Sequence, residues 1–157
     1  GAASIMLHDM LRRILRNMDL SENEIDESIY DAMLLSVDVA HALHPNKKEK
    51  MDITNMPVMG KGFCIKQACS QSYATDAQAI AILCQLCDEK GIPYQRFVNR
   101  SDSRGGSTLG SIAGTLLPVK TVDIGIPILA MHSACELMGV RDMKALSDCV
   151  TAFFGYH

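Results

Sequence analysis

The sequence predicts an α/β fold in which a layered sheet carries helices on both faces. Apolar runs of strand length alternate with helical patterns about every 20 to 30 residues, which is typical of such folds. The run VKTVDIGIPIL at 119–129 is apolar enough to be a buried strand, although Pro127 is expected to break it. A chain of 157 residues fits one domain, residues 1–157, and can bury a sizeable core.

Four strands are predicted from short apolar runs bounded by polar or glycine- and proline-containing segments. They are MLLSVDV (33–39), GFCIKQ (62–67), YQRFVNR (94–100) and VKTVDIGIPIL (119–129). A long loop from His44 to Gly62, rich in proline, asparagine, lysine and glycine, joins the first two.

Helices are predicted from apolar residues at helical spacing and from capping residues. SIMLHDMLRRILRN (4–17) comes first, and Ser21 opens a capped turn or a second short helix. Asp76 and Gly91 delimit the alanine-rich helix AQAIAILCQLCDEK (77–90). The remaining helical patterns are RGGSTLGSIAGTLL (104–117), which starts with a glycine-rich turn, SACELMG (133–139) and RDMKALSDCVTAFF (141–154).

Composition limits the classes of partner. The formal net charge of -3 gives no electrostatic reason to expect nucleic acid or an anionic membrane surface. No apolar run approaches the ~18 residues of a membrane helix, and the N-terminus has no signal-peptide pattern. The six cysteines are too scattered for a disulfide scaffold, so reduced thiols and a cytoplasmic location are expected.

Candidate chemistry lies beyond the strand ends, where ligands bind in α/β folds. Asp38 ends one apolar strand and His132 follows another, which together offer the oxygen and nitrogen ligands that zinc favours. The alternatives are a helix N-cap or turn for Asp38 and a structural histidine for His132. A catalytic zinc needs about three protein ligands. The sequence contains neither an HExxH motif nor an adjacent Glu-Glu pair to complete such a site.

Two further imidazoles follow Asp38. If residues 39–44 are helical, His41 lies one turn beyond Asp38, and both side chains can reach one site. His44 precedes Pro45, which favours a role in shaping the turn over a role as a ligand.

Two polar side chains and a loop complete the candidates. Lys66 ends a strand and Tyr73 precedes a capped helix, so both can bind a substrate carbonyl or carboxylate. The loop SDSRGGSTLG (101–110) permits close backbone approach to a substrate, or alternatively phosphate binding in a different class of α/β protein. Cys84 and Cys87 form a CxxC inside a predicted helix, which favours core thiols over a redox pair.

Together these segments resemble the aspartyl aminopeptidases, a family of dinuclear zinc exopeptidases. Four motifs agree in order and spacing: SVDVAHALHPN (36–46), KQACSQSYATDA (66–77), NRSDSRGGSTLG (99–110) and TVDIGIPILAMHS (121–133). The resemblance covers the C-terminal portion of the family's catalytic domain. It implies that the family's His-x-Asp motif, bridging aspartate, Glu-Glu pair and dimerisation domain belong to an upstream part that this chain lacks.

The resemblance also implies roles for individual residues. Asp38 matches the aspartate ligand of one zinc, and His132 matches the histidine ligand of the other. His41, Lys66 and Tyr73 match positions that line the substrate pocket. The complete family site holds two zinc ions, for which cobalt or manganese are alternatives.

Gly106, Ser107 and Thr108 match the loop that approaches the substrate. No catalytic residue is expected here, because the general-base glutamate belongs to the upstream half. The resemblance implies hydrolysis of N-terminal, often acidic, residues from peptide substrates. We expect the chain alone to be inactive and to self-associate or to pair with a separate N-terminal half. The alternative is a non-catalytic truncated paralogue or an assembly module.

Overall fold

The computed structural model describes residues 3–103 and 105–155 and confirms the predicted α/β class. A five-stranded mixed sheet has the order β1-β4-β2-β3, and β5 pairs with β4. The strands are β1 (Met33–His41), β2 (Phe63–Gln67), β3 (Tyr94–Val98), β4 (Lys120–Leu129) and β5 (Leu137–Met138). The helices are α1 (Met6–Asn17), α2 (Glu22–Asp31), α3 (Ala77–Lys90), α4 (Leu109–Ala113) and α5 (Val140–Phe154).

Strand β4 is the centre of the sheet because it pairs with three other strands. It runs parallel to β1 from the pair Met33–Lys120 to the pair His41–Ile128, and antiparallel to β2 and β5. β2 in turn runs parallel to β3. Since β1 and β4 are parallel, the end of β1 and the turn after β4 lie at the same edge of the sheet.

One face of the sheet carries the main hydrophobic core under α3 and α5. Successive strand residues point to opposite faces, so alternate residues of β4 enter this core. The buried residues there include Val122, Ile124, Ile126 and Ile128 of β4, Phe63 and Ile65 of β2, Leu83 and Leu86 of α3, and Ala145 and Leu146 of α5. This face supplies most of the apolar burial that stabilises the domain.

The opposite face of the sheet is polar at its centre. Asp123, Lys66 and Ser36 are buried on it, beneath α4 and the long loops. A smaller apolar cluster beside them contains Ala40, Met51, Cys64, Ala68, Tyr73 and Phe97. The candidate chemistry is therefore separated from the main core by the thickness of the sheet.

Capping residues define the predicted helices as expected. Ser21 and Glu24 form a capping box at the start of α2, which confirms the second short helix. Asp76 accepts a hydrogen bond from the Ala79 N–H at 2.8 Å, and Gly91 ends α3 in the left-handed conformation with φ 65°.

Three sequence predictions are wrong in detail, and the first concerns β1. The strand extends to His41, so residues 39–44 do not form a helix. Continued parallel pairing with β4, as far as the pair His41–Ile128, overrides the weak helical pattern. His41 therefore does not lie one helical turn beyond Asp38; it ends the strand, with its ring centroid 6.4 Å from that of Phe97.

The second correction is that Pro127 does not break β4. It lies between the residues that pair with β2 (123–125) and those that pair with β5 (128–129). A proline is tolerated at such a gap, because the ladder does not require its missing N–H there.

The third correction is that SACELMG is not a helix. Leu137 and Met138 form β5 and pair with Leu129 and Ile128 of β4. Seven residues ending in glycine are too few for a stable helix, and strand pairing satisfies the backbone instead.

Helix α1 is confirmed, but its apolar side is only partly covered. Leu11 and Leu15 pack against a small cluster formed by Ile25, Ile29 and Leu117. Other apolar residues near this helix remain exposed, namely Ile5, Met6, Leu7, Met10, Ile14 and Met18. No helix among residues 3–103 and 105–155 is both long and apolar enough to cross a membrane.

Thiol labelling tests the packing of the sheet. Cys64 is buried, and burial raises its pKa to about 12, whereas Cys69 and Cys135 are exposed. We expect iodoacetamide at neutral pH to alkylate Cys69 and Cys135 well before Cys64, because the thiolate is the reactive form. Peptide mass spectrometry measures the rates. Equal labelling of Cys64 without denaturant would contradict the described packing.

Candidate functional site

Lys66 and Asp38 form a salt bridge on the polar face of the sheet. The Lys66 Nζ donates a hydrogen bond to Asp38 Oδ1 at 2.6 Å and another to the Val39 carbonyl at 3.1 Å. Asp38 pairs with Gly125 of β4, so the lysine reaches across this strand from β2. A Cβ atom on Gly125 would lie 2.7 Å from the Val39 backbone, so the absence of a side chain at Gly125 lets β4 and β1 approach each other closely.

The salt bridge is unequally exposed to solvent. The Lys66 side chain is 4% exposed and that of Asp38 is 40% exposed. Burial raises the pKa of Asp38, and the neighbouring Asp123 carboxylate acts in the same direction, although Lys66 opposes both. Ionised Asp38 therefore needs a cation beside it, and either an ammonium group or a metal ion can fill that role.

Tyr73 lies over Lys66 and closes one side of the site. Its ring centroid is 4.6 Å from Lys66 Nζ and 6.1 Å from the Phe97 ring centroid. The Asn99 Nδ2 donates a hydrogen bond to Tyr73 Oη at 2.9 Å. Because the phenolic oxygen accepts this bond and burial raises the pKa of Tyr73, the hydroxyl keeps its hydrogen and can donate it.

His132 lies close enough to His41 to affect the pKa of His41. Burial lowers the pKa of His41, and His132 and Lys66 lower it further, so the imidazole is neutral at physiological pH. The backbone of His132 has φ 69°, and its N–H donates to Glu136 Oε1 at 2.5 Å. The turn after β4 thus holds His132 in a left-handed conformation.

The three loop residues predicted to approach a substrate differ in burial. Gly106 and Ser107 are exposed, and Gly106 borders a cleft that His41 and Tyr73 also line. Thr108 is buried, caps α4, and donates its N–H to the Ser72 carbonyl at 3.2 Å. Thr108 therefore connects its loop to the loop that carries Tyr73.

A cleft of about 650 Å³ opens beside these residues. His41, Tyr73 and Gly106 line it, together with cationic or imidazole side chains on the adjoining loops: His44, Lys47, Lys50 and Arg100. The described residues that line the cleft include no aspartate or glutamate. Its electrostatic character therefore favours an anionic ligand.

A complete metal site is not formed within the described part of the chain. Residues 3–103 and 105–155 contain no group of three or more histidine, cysteine, aspartate or glutamate side chains that could hold a metal ion. Asp38 and His132 are donors of the right chemical type, a carboxylate and an imidazole, and both are partly open to solvent. Further ligands would have to come from elsewhere.

Asp123 was missed by the sequence reasoning. It is 0% exposed, and its Oδ2 accepts hydrogen bonds from the Ala74 N–H and the Thr108 hydroxyl. Its Oδ1 has no hydrogen-bond partner among the described residues. The available signal was a single carboxylate in the otherwise apolar run of β4.

Comparisons with known proteins agree with this architecture. The family described as "Aminopeptidase I zinc metalloprotease (M18)" matches residues 1–154. A "Probable M18 family aminopeptidase 2" from Clostridium novyi (strain NT) is 47% identical over 142 residues, which cover 90% of this chain and 33% of the relative.

Two solved structures show the same fold. The "Cryo-EM structure of the Ape4 and Nbr1 complex" contains a chain with TM-score 0.92 and 34% identity, over 98% of this chain and 29% of that one. The "Structure of S. cerevesiae mApe1 dodecamer" contains a chain with TM-score 0.84 and 23% identity, and the match covers 99% of this chain and 34% of that one.

These matches define the class as zinc metalloproteases. The chain belongs to the M18 family of aminopeptidases, which confirms the family predicted from the four motifs. It spans about a third of the length of the curated relatives it matches.

A double-mutant cycle tests the Asp38–Lys66 pair. Asp38→Asn, Lys66→Met and the double variant should give a coupling free energy of roughly 0.5–3 kcal/mol in denaturant unfolding, because the ammonium is buried. The matched control is the exposed pair Lys144–Asp148, at 2.5 Å compared with 2.6 Å for Lys66–Asp38, for which about 0.3–0.5 kcal/mol is expected. Equal coupling free energies in the two pairs would contradict the view that burial of Lys66 strengthens its interaction with Asp38.

Proposed function

We propose that this chain supplies one side of the active site of a zinc aminopeptidase. The reaction is hydrolysis of N-terminal, preferably acidic, residues from peptides. The observation that carries the proposal is the convergence of Asp38, Lys66 and Tyr73 on one face of the sheet, next to a cleft bordered by cations. Membership of the M18 family supports the reaction class.

The metal is proposed to be zinc at two positions, with cobalt or manganese as alternatives. Asp38 would supply an oxygen ligand to one ion, and His132 would supply a nitrogen ligand to the other. Bound zinc supplies a Lewis acid that polarises the scissile carbonyl. The other ligands and the general-base glutamate are expected from parts of the protein outside this chain.

The chain's own residues would bind and orient the substrate. Lys66 fixes the orientation of Asp38 through its hydrogen bond. The Tyr73 hydroxyl, whose oxygen already accepts from Asn99, would donate to a substrate carbonyl or carboxylate. Neutral His41 can form a hydrogen bond at the same cleft without adding positive charge at physiological pH.

A preference for acidic residues is supported by the charge around the cleft. Lys47, Lys50 and Arg100 border it, and positive potential attracts a carboxylate side chain. The attraction is partly offset because Arg100 also binds Asp102.

Self-association and a cytoplasmic location are also proposed. The exposed apolar side chains of α1, such as Met10 and Ile14, are suited to burial in an interface. One solved relative of the same fold is described as a dodecamer. The six free cysteines are consistent with a reducing compartment.

A second candidate is a non-catalytic truncated paralogue or assembly module. The absence of a group of three metal-ligating side chains from the described residues favours it for the chain in isolation. Recovery of activity when this chain is co-expressed with the rest of an M18 catalytic domain would exclude it.

The chain alone should be inactive, because it contributes only one proposed ligand to each metal. The assay uses an acidic aminoacyl substrate with zinc or cobalt added, and isothermal titration should detect weak metal binding or none. Turnover by the isolated chain that disappears in His132→Ala would overturn this prediction.

In the full-length protein, His132→Ala and Asp38→Asn should each lower kcat/KM by about 100-fold or more, since a catalytic metal contributes several kcal/mol. The metal content per subunit, measured by atomic absorption, should fall together with kcat/KM. The control is Lys144→Ala, an exposed substitution on α5. Unchanged metal content and activity in His132→Ala would contradict the proposed ligand.

A further inference from the structure

Asp123 occupies an unusual position for a carboxylate. It lies in the middle of β4, opposite Ser36 of β1 and Lys66 of β2, and its side chain is fully buried. Its neighbours along β4, Val122 and Ile124, enter the apolar core on the other face. An apolar side chain would suit such a strand better, so the carboxylate requires a specific explanation.

The hydrogen bonds of Asp123 join two different loops. One donor is the Ala74 N–H, in the β2–α3 loop directly after Tyr73. The other is the Thr108 hydroxyl, at 2.7 Å, in the β3–α4 loop directly after Ser107. A single carboxylate oxygen, Oδ2, accepts both bonds. The two loops therefore share one anchor in the centre of the sheet.

The anchor is fully buried, so its hydrogen bonds do not compete with bulk water. The other oxygen, Oδ1, is buried and accepts no hydrogen bond from a described residue. A Cβ atom on Gly110 would lie 2.9 Å from Oδ1, so the start of α4 also packs directly against this carboxylate.

Both anchored loops carry residues of the candidate substrate pocket. Tyr73 lines the cleft from one loop and Gly106 from the other. We propose that Asp123 is a positioning residue that holds these two loops in the geometry required to bind the N-terminal residue of a peptide. This inference rests on the proposed aminopeptidase function. Asp123 itself does not touch the substrate, because it lies beneath the loops.

The test compares Asp123→Asn with Asp142→Asn in the full-length protein. Asp142 is a matched control because it is also fully buried and accepts two backbone hydrogen bonds, from Gly60 and Gly62. Those glycines do not themselves line the cleft, although the same loop carries Lys47 and Lys50 near its other end. Both variants should lower the midpoint of denaturant unfolding.

Only Asp123→Asn should loosen the pocket loops. Amide hydrogen exchange at residues 70–75 and 105–109 should accelerate by about tenfold or more, because their shared anchor is weakened. KM for an acidic aminoacyl substrate should rise by about tenfold, with a smaller change in kcat, because misplaced binding groups weaken substrate positioning. Asp142→Asn should leave both quantities near the wild-type values.

A second pair of variants tests the proposal even if Asp123→Asn fails to fold. Thr108→Val removes the donor hydroxyl and should accelerate exchange at residues 105–109, whereas Thr108→Ser keeps the hydroxyl and should restore protection. Unchanged exchange in both loops, or an equal rise of KM in Asp142→Asn, would overturn the proposal. If the wild-type full-length protein has no aminopeptidase activity, the proposed function fails, and hydrogen exchange alone still decides whether Asp123 anchors the loops.

Discussion

The alternation of side chains along β4 is the constraint on which the structure depends. Because each successive residue changes face, the isoleucines and Val122 build the core under α3 and α5, while Asp123 and Gly125 face the opposite side. A shift of one residue in the pairing with β1 would place a carboxylate in the apolar core. The register that stabilises the domain is therefore also the register that assembles the candidate site.

With this register, charged side chains lie together on the polar face of the sheet. Two carboxylates, Asp38 and Asp123, lie near one buried ammonium group, Lys66. Burial raises the pKa of Asp38, the nearby Asp123 adds to this effect, and Lys66 offsets only part of it. The polar face therefore balances its one buried ammonium group against partly exposed Asp38.

The sequence was most informative where local chemistry decides the structure. Asp76 and Gly91 mark the ends of α3, and apolar runs mark the main strands, so these elements followed from capping and periodicity. The extension of β1 to His41 was not predicted, and residues 133–139 were misassigned, because pairing with β4, a long-range interaction, decides their conformation. Asp123 escaped notice since its importance comes from donors 49 and 15 residues away in the chain.

The left-handed backbone of His132 has a consequence for natural variation. A residue with a Cβ atom at φ 69° is strained, and glycine or asparagine would be conformationally more suitable. Selection for stability alone would thus favour replacing the imidazole, whereas the proposed role in metal binding would favour keeping it. Where that proposed role is absent, glycine is expected to be well tolerated in this turn.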